Sequence, residues 1–399
     1  MNDNATLERY ETGGSVPRYG FSASHSLGLS ELALTDFRNY LEANIEVGGH
    51  RVIVLTGHNG AGKTSVLEAI SLLSPGRGLR KAKLRDMTHR RRDVNGWVVG
   101  AQVQGAQGAV HIGTGLDSAS RTERRVVKID GGRPRTQQAL AEHLSVSWQA
   151  PQMDGLFTDA QGERRQFLDR LVYNFDPQHV TRINTYDQLM RERTQVLQSD
   201  FPDPVWLKTL EQKMAAQGLA IAAARLEMVD RLNRTIMLSE SGFPKAHLSL
   251  EGEVEEALRR GEAAIDVEVA FAQRLERARP IDASAGRALK GTHRTVLTVL
   301  HLLKNMEAAF CSTGEQKALL LSILLAHARA RKEWYGAAPV ILLDEVVAHL
   351  DEKRRAELFY EIADLGAQTW MTGTDVADFS TLPAGGLWLK VENSFISKR

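Results

Sequence analysis

The chain has 399 residues, enough to bury a large core and to form two domains or one domain with a substantial insertion. Lysine and arginine number 50 and the acidic residues 49, so no global basic charge demands a polyanionic partner, and any nucleic-acid surface must be local. The single cysteine, Cys311, excludes an internal disulfide and a cysteine-based zinc site and fits a reducing, cytoplasmic environment.

Residues 1–29 combine acidic residues with several Gly and Ser and lack the apolar segment of a secretory signal. We expect a flexible extension, or an over-extended gene start, and assign it no role. The strongest apolar run, Ala318 to Ala326, is too short to span a bilayer, so no membrane association is expected.

The regular pattern begins at Leu32. A first strand is predicted to end in the turn around Asp36 to Tyr40, and a second strand lies around Ala43 to Val47. Further on, the runs Trp97 to Val103 and Arg125 to Ile129 predict an antiparallel layer.

Residues 57–64 fit the G-x-x-x-x-G-K-[ST] pattern of a phosphate-binding loop. The apolar, β-branched run before them predicts a buried strand, and the run after them a helix, so backbone N–H groups and a helix N-terminus converge on phosphate. Lys63 would reach the β- and γ-phosphates, and the Thr64 hydroxyl would hold Mg²⁺. The predicted nucleotide-binding residues of this loop are Gly57, His58, Asn59, Gly60, Ala61, Gly62, Lys63, Thr64 and Ser65.

From Glu163 the apolar period changes to 3.6 residues, which predicts helices. Pro177, Pro202 and Pro204 divide this region, so a compact helical arm is expected and not an extended coiled coil. A strand at residues 247–251 and a helix at residues 267–278 follow, and the apolar residues return from position 294.

A second apolar run, residues 339–343, ends in Asp344 and Glu345, the form of a buried parallel strand that delivers acids at its carboxyl end. Asp344 is suited to bind Mg²⁺ and Glu345 to polarise the water that attacks the γ-phosphate. Upstream, Ser312 and Gly314 open an apolar helix. Such an N-terminus is an anion site or simply a helix cap.

Taken together these stretches resemble the RecF family of ATPases, which is related to SMC heads and ABC-type cassette ATPases. The resemblance spans Leu32 to about Asp378. It rests on four stretches, residues 36–40, 57–64, 312–317 and 343–351, with support at residues 164–169 and 370–375. It implies an α/β fold, an ABC-type P-loop ATPase head with an antiparallel β layer and an inserted compact helical arm. The head would comprise residues 30–162 and 290–399, and the arm, lobe II, residues 163–289.

The resemblance also implies site residues. Ser312, Gly314 and Gln316 would form a signature loop that contacts the γ-phosphate of ATP bound to a second copy. Asp351 would lie at the same interface, and Arg38 and Asn39 near the nucleotide.

Three positions stay open. The Q-loop glutamine is Gln149 or Gln152. Thr372 or Thr374 stands where transporter ATPases keep a switch histidine, so γ-phosphate sensing there would rest on a hydroxyl. Relatives often show Gly-Pro-His-Arg where this chain has residues 291–295, Gly291 to Thr295, which leaves the local turn and the roles of His293 and Arg294 undetermined.

The family resemblance implies a weak, DNA-stimulated ATPase with ATP and Mg²⁺ as cofactors. It would bind single- and double-stranded DNA at gaps as an ATP-induced homodimer and support recombinase loading and the SOS response with RecR and RecO.

Two basic segments are candidate DNA contacts, and without interleaved aromatics they favour phosphate contacts. Solvated charged surface explains either one equally well. The first contains Arg77, Arg80, Lys81, Lys83, Arg85, Arg90, Arg91 and Arg92, and the second contains Arg121, Arg124, Arg125 and Lys128.

Other ATPase classes are alternatives. A transporter motor subunit is disfavoured because its signature lies much closer to the phosphate loop. An SMC-like tether is disfavoured because sustained heptads are missing. A defence ATPase with a related head would be favoured by a nuclease or other effector domain, and none is visible in the sequence.

Overall fold

The computed structural model describes residues 27–90, 96–105, 108–116, 124–134, 136–347, 350–383 and 385–399. Residues 1–26 of the predicted extension lie outside this part of the chain, as do Arg91, Arg92, Arg121, Ala348 and His349. The first strand begins at Gly28, so the last two residues of the predicted extension belong to it.

Fourteen strands and nine α-helices are present in the described residues. The strands are β1 (Gly28–Phe37), β2 (Tyr40–Glu46), β3 (Val52–Thr56), β4 (Trp97–Gly105), β5 (Gly108–Leu116), β6 (Arg125–Ile129), β7 (Val146–Gln149), β8 (Ala246–Glu251), β9 (Val296–His301), β10 (Met306–Glu307), β11 (Val340–Leu343), β12 (Thr369–Gly373), β13 (Leu387–Glu392) and β14 (Phe395–Lys398). The helices are α1 (Lys63–Ser71), α2 (Gln161–Tyr173), α3 (Gln178–Leu197), α4 (Pro204–Leu238), α5 (Glu253–Arg259), α6 (Ala264–Arg277), α7 (Arg279–Ala285), α8 (Thr313–Tyr335) and α9 (Glu352–Leu365).

A six-stranded sheet of order β14-β13-β3-β12-β11-β7 forms the centre of the head. All neighbouring pairs are parallel except β13 and β14, which form an antiparallel hairpin at one edge. The central strands β3, β11 and β12 are buried along almost their whole length because helices cover both faces of the sheet. Their carboxyl ends meet at one edge, which is where such sheets bind ligands.

Helix α1 lies between the central sheet and the predicted antiparallel layer, a five-stranded sheet of order β2-β1-β4-β5-β6. One apolar cluster joins the three layers, with Leu32, Leu55, Val66 and Trp97 among its buried members. Helices α8 and α9 pack on the opposite face of the central sheet. The helix that follows the phosphate loop is therefore enclosed between two sheets.

Helices α3 to α6 surround a separate apolar core. Gly218 on α4 permits their close packing, since a Cβ there would lie 2.6 Å from Phe271 and 3.2 Å from Tyr186. Pro204 occupies the first turn of α4, where its missing N–H costs nothing, so α4 runs unbroken for 35 residues. A small antiparallel sheet of order β10-β9-β8 connects this region to α8.

A buried ion pair links α4 to α2. Arg225 donates to both carboxylate oxygens of Asp169, at 2.8 and 2.9 Å, and to the carbonyl of Thr292 at 2.7 Å. Among the described helices, none combines the length and apolar content needed to cross a bilayer.

Candidate functional site

The phosphate loop, the acidic end of β11 and the ends of β7 and β12 come together at the carboxyl edge of the central sheet. Leu343 on β11 is in register with Gln149 on β7 and with Met371 on β12. Thr56, the last residue of β3, is in register with Gly373. The parallel sheet thus assembles groups that are distant in the chain, such as Thr64 and Asp344, which are 280 residues apart.

The phosphate loop packs tightly against the β1–β2 turn. Gly62 has a left-handed backbone with φ of 118°, and a Cβ there would lie 2.3 Å from Nδ2 of Asn39. Asn39 donates to the carbonyl of Ala61 at 3.2 Å, and the Tyr40 hydroxyl donates to the carbonyl of Gly62 at 3.2 Å. Glycine is therefore required at position 62 both by the backbone and by the close approach of this turn.

Lys63 is buried at the start of α1, and its ammonium group donates to two loop carbonyls, Gly57 at 2.6 Å and His58 at 3.1 Å. Burial lowers the pKa of Lys63, and the nearby Glu345 and Asp344 oppose that change. The cation is held inside the loop. By contrast, His58, Asn59 and Gly60 are exposed at its tip, and Ser65 is buried behind it.

The two predicted metal ligands are in direct contact. The Thr64 hydroxyl donates to Oδ1 of Asp344 at 3.0 Å. Burial raises the pKa of Asp344, while hydrogen bonds from Thr372 and Thr64 act in the opposite direction. A hydroxyl and a carboxylate are hard oxygen ligands of the kind Mg²⁺ prefers, so the donor set fits. The described residues hold no cluster of three His, Cys, Asp or Glu side chains suited to a metal. Protein Mg²⁺ sites commonly combine one or two carboxylates with substrate phosphates and water.

Glu345 follows Asp344 and is partly buried, with a left-handed backbone at φ of 54°. Of the two candidate threonines, Thr372 is fully buried within β12 and touches Asp344, whereas Thr374 is exposed beyond the end of that strand.

The two candidate Q-loop glutamines occupy different surroundings. Gln149 is the last residue of β7 and is 1% exposed, and its carbonyl accepts from the backbone N–H of Asp344 at 3.0 Å. Its side-chain Oε1 is buried without a hydrogen-bond partner. Gln152 lies in the following 3₁₀-helix and is exposed. The geometry favours Gln149, because only its backbone is fixed beside Asp344.

Arg38 is held by an acid on α1. Its guanidinium donates to both oxygens of Glu68, at 2.6 and 2.7 Å, and to the carbonyl of Asp86 at 2.7 Å. Glu68 is 0% exposed. The Arg38 side chain is thus anchored to the helix that begins at Lys63, while Asn39 bridges the phosphate loop and the β13–β14 turn by donating to Ser394 Oγ at 2.8 Å.

The signature segment forms the beginning of α8. Ser312 is the N-cap residue, and its N–H and hydroxyl donate to the Glu315 carboxylate at 3.0 and 2.9 Å. A hydrogen-bonded Lys304, together with Ser312, lowers the pKa of Glu315 to about 2. Ser312 and Gly314 are exposed, whereas Gln316 is buried and donates to the carbonyl of Cys311 at 2.9 Å. Gln316 thus supports the loop from inside.

Asp351 is the N-cap of α9, where its carboxylate accepts from the backbone N–H of Arg354 at 2.8 Å, and it is exposed. The divergent segment beginning at Gly291 forms a 3₁₀ turn. There His293 contacts the Tyr186 hydroxyl at 3.2 Å and the carbonyl of Ala288 at 3.0 Å, and burial lowers its pKa. Arg294 is exposed.

Comparison with known proteins agrees with this geometry. The family described as RecF/RecN/SMC N terminal domain matches residues 28–372. A protein from Rhizobium rhizogenes named DNA replication and repair protein RecF is 47% identical over 376 residues, covering 94% of this chain and 99% of that protein. A protein of the same name from Agrobacterium fabrum is 46% identical over 377 residues, with the same coverage.

The chain belongs to the RecF family. Its fold is similar to a solved structure described as the recombination mediator protein RecF-ATPrS in the RecFOR pathway, with a TM-score of 0.81, 21% identity and coverage of 94% of this chain and 99% of that one. The Smc head domain from Pyrococcus furiosus bound to the C-terminal domain of ScpA gives a TM-score of 0.52 at 14% identity, covering 94% and 96%. These likenesses confirm the predicted ABC-type ATPase head fold.

The second basic segment of this RecF-family chain requires a correction. Arg125 is only 7% exposed, and its guanidinium donates to Thr114 Oγ1 at 2.7 Å, to Gly76 O at 2.7 Å and to the carbonyls of Leu72 and Ser74. Burial lowers its pKa to about 10. Arg125 therefore fixes the segment after α1 and is unable to contact DNA. Its neighbours in the sequence, Arg124 and Lys128, are exposed.

The first basic segment remains on the surface. Lys81 forms an ion pair with Glu163 at 2.5 Å, and Arg80 lies 3.5 Å from Glu68. The exposed residues of this segment are Arg77, Arg80, Lys81, Lys83, Arg85 and Arg90.

Sequence reasoning missed two residues that support the site, Glu68 and Ser394. Glu68 carried a usable signal, since a carboxylate inside the apolar run of a buried helix requires a cationic partner. Ser394 carried none, because its contact with Asn39 depends on the β13–β14 hairpin returning beside the phosphate loop.

Proposed function

We propose that this chain is an ATP-dependent DNA-binding protein of recombinational repair and replication that closes into a homodimer on ATP. The observation that carries the proposal is the division of the site into two kinds of surface. Lys63, Thr64 and Asp344 form one half at the sheet edge. Ser312 and Gly314 form an exposed helix N-terminus, an anion-binding feature that fits the γ-phosphate held by a second copy.

Within one half-site the residues take distinct roles. Lys63 and the loop N–H groups hold the phosphates, and Thr64 and Asp344 hold Mg²⁺, which when bound neutralises charge on the phosphate oxygens. Glu345 orients and polarises the attacking water, and Gln149 contributes its free side-chain oxygen nearby. Asp351 lies at the dimer interface. Hydrolysis is slow, is stimulated by DNA and opens the dimer.

The names of the relatives support a role with DNA and favour it over a transporter motor subunit. Double-stranded and single-stranded DNA at gaps would contact the exposed basic segment around Lys83 through phosphates. The similar solved structure is described as belonging to the RecFOR pathway, which supports RecR and RecO as partners of this chain. The head comprises residues 28–162, since β1 begins at Gly28, and residues 290–399, and the arm comprises residues 163–289. Recombinase loading and the SOS response are the proposed outcomes.

The test is size-exclusion chromatography with light scattering, with and without ATP and gapped DNA. The expected result is a monomer that becomes a dimer with ATP and elutes with gapped DNA in an ATP-dependent manner. A chain that stays monomeric with ATP would overturn the composite site. A dimer that does not elute with gapped DNA would overturn the DNA-binding role and indicate another class of cassette ATPase.

Ser199→Arg is a suitable control variant because Ser199 is exposed just after α3, far along the chain from both half-sites. Ser312→Arg, which places a large cation at the exposed N-terminus of α8, should prevent dimerisation, whereas Ser199→Arg introduces the same charge elsewhere and should dimerise like the wild type.

A further inference from the structure

The Thr372 hydroxyl joins the two acidic residues at the end of β11. It donates to Oδ1 of Asp344 at 2.8 Å and accepts from the backbone N–H of Glu345 at 2.9 Å. Thr372 is 0% exposed. A single hydroxyl thus uses its proton on one residue and a lone pair on the next.

The contact with Glu345 fixes an unfavourable backbone. Glu345 has a φ of 54°, a region that residues other than glycine, asparagine and aspartate seldom adopt. Such a conformation persists only when its surroundings hold it. The backbone conformation sets the direction of the Cα–Cβ bond. By fixing that conformation, the hydrogen bond to Thr372 also fixes the direction in which the Glu345 side chain leaves the backbone.

The contact with Asp344 has a separate effect. Oδ1 of Asp344 accepts from Thr64 as well as from Thr372. Thr64 is itself a proposed metal ligand, whereas the Thr372 hydroxyl contacts only protein groups in this site. Thr372 is therefore the partner whose contact serves only to orient the carboxylate. Partners that orient a ligating carboxylate typically matter by about 10- to 100-fold in affinity or activity.

We propose that Thr372 is a positioning residue for ATP hydrolysis that fixes the metal-binding Asp344 and the water-polarising Glu345 through one hydroxyl. This inference rests on the roles proposed above for those two acids. The only proton of the hydroxyl is donated to Asp344, so Thr372 acts on the reaction through its neighbours and not by donating to the γ-phosphate.

The test compares Thr372→Val, which keeps the shape and removes the hydroxyl, with Thr372→Ser, which keeps the hydroxyl. We expect Thr372→Val to lower kcat about 10- to 100-fold while the Kd for ATP changes far less, because Lys63 and the loop are intact. Thr372→Ser should restore kcat. Thr369→Val is the matched control, since Thr369 is a fully buried threonine at the other end of β12, and it should keep wild-type kcat.

Wild-type kcat in Thr372→Val, or equal losses in the Val and Ser variants, would overturn the inference. If Thr372→Val fails to fold, Thr372→Ser still decides, because a hydroxyl that positions both acids must support turnover there. Glu345→Gln separates this inference from the proposed function. If Glu345→Gln hydrolyses ATP normally, the role of Glu345 is wrong. If Thr372→Val has the wild-type kcat while Glu345→Gln loses hydrolysis, the role of Thr372 is wrong and that of Glu345 stands.

Discussion

His327 on α8 makes the stability of this protein depend on pH. The ring is 0% exposed, and Nε2 lies 3.0 Å from the carbonyl of Leu171 while Nδ1 lies 3.2 Å from Ser147 Oγ. A carbonyl only accepts, so Nε2 carries the proton and Nδ1 accepts from the serine. Phe175 packs edge-on against the ring at 5.4 Å between centroids. The histidine is therefore built into the fold in its neutral form.

Burial lowers the pKa of His327 from 6.5 to about 3, and the nearby Arg331 and Arg170 add to the effect. The unfolded chain binds a proton at this ring below about pH 6.5, and the folded chain does not until about pH 3. The stability it contributes is therefore complete above pH 6.5 and is lost as the pH falls towards 3. At about pH 5 the difference of about 1.5 pH units corresponds to roughly 2 kcal/mol.

The measurement is urea unfolding of wild type and His327→Gln between about pH 7 and pH 5, with the pH-dependent difference between them as the readout. Other buried groups cancel in that difference because both proteins contain them. The wild type should lose roughly 2 kcal/mol more than the variant over this range. His247→Gln, at an exposed histidine on β8, is the control and should follow the wild type. Parallel pH curves for wild type and His327→Gln would refute the reasoning.

Four further predictions concern function. Lys63→Ala should abolish ATP-dependent dimerisation, measured by light scattering, because it removes the cation that the loop holds for the phosphates. Glu345→Gln should bind ATP but accumulate as a dimer with hydrolysis strongly reduced, measured by phosphate release, because the amide cannot act as a base. Ser312→Arg should prevent dimerisation while the monomer still binds ATP, measured by calorimetry, because the new side chain blocks an exposed helix N-terminus. Lys83→Ala combined with Arg85→Ala should weaken DNA binding and reduce the slope of log K against log salt by about 0.9 for each DNA phosphate that the variant no longer neutralises.

Contrary outcomes are specific to each variant. Normal ATP-dependent dimerisation of Lys63→Ala would contradict the assignment of the phosphate loop. Unchanged ATP hydrolysis by Glu345→Gln would contradict the role of Glu345 as the catalytic base. Loss of ATP binding by monomeric Ser312→Arg would place Ser312 in its own subunit's site. An unchanged salt slope in the double variant would show that the basic segment is ordinary solvated surface.

The phosphate loop and the acidic strand end could be predicted from sequence because each is a contiguous unit. A strand, a glycine turn and a helix supply loop, donors and cation within one short segment, and a buried strand delivers Asp344 and Glu345 in the same way. The family resemblance then gave the head fold, which the comparisons confirm.

Side-chain partners from distant segments could not be predicted. The basic composition around Arg125 predicts an exposed position. In the structure, however, β6 lies beside the end of α1, and the Arg125 guanidinium donates to carbonyl groups there. Likewise, the sequence does not distinguish Gln149 from Gln152 as the Q-loop glutamine. Only the pairing of β7 with β11 places Gln149 beside Asp344.

The sequence by itself predicted a nucleotide site and which residues would contact phosphate and metal, because such contacts depend on local backbone geometry and nearby side chains. Tertiary structure alone decided which polar groups are free for function and which are used internally. Thr372 and Arg125 both look available in the sequence, but their hydrogen-bond donors are taken by groups that only folding brings within about 3 Å.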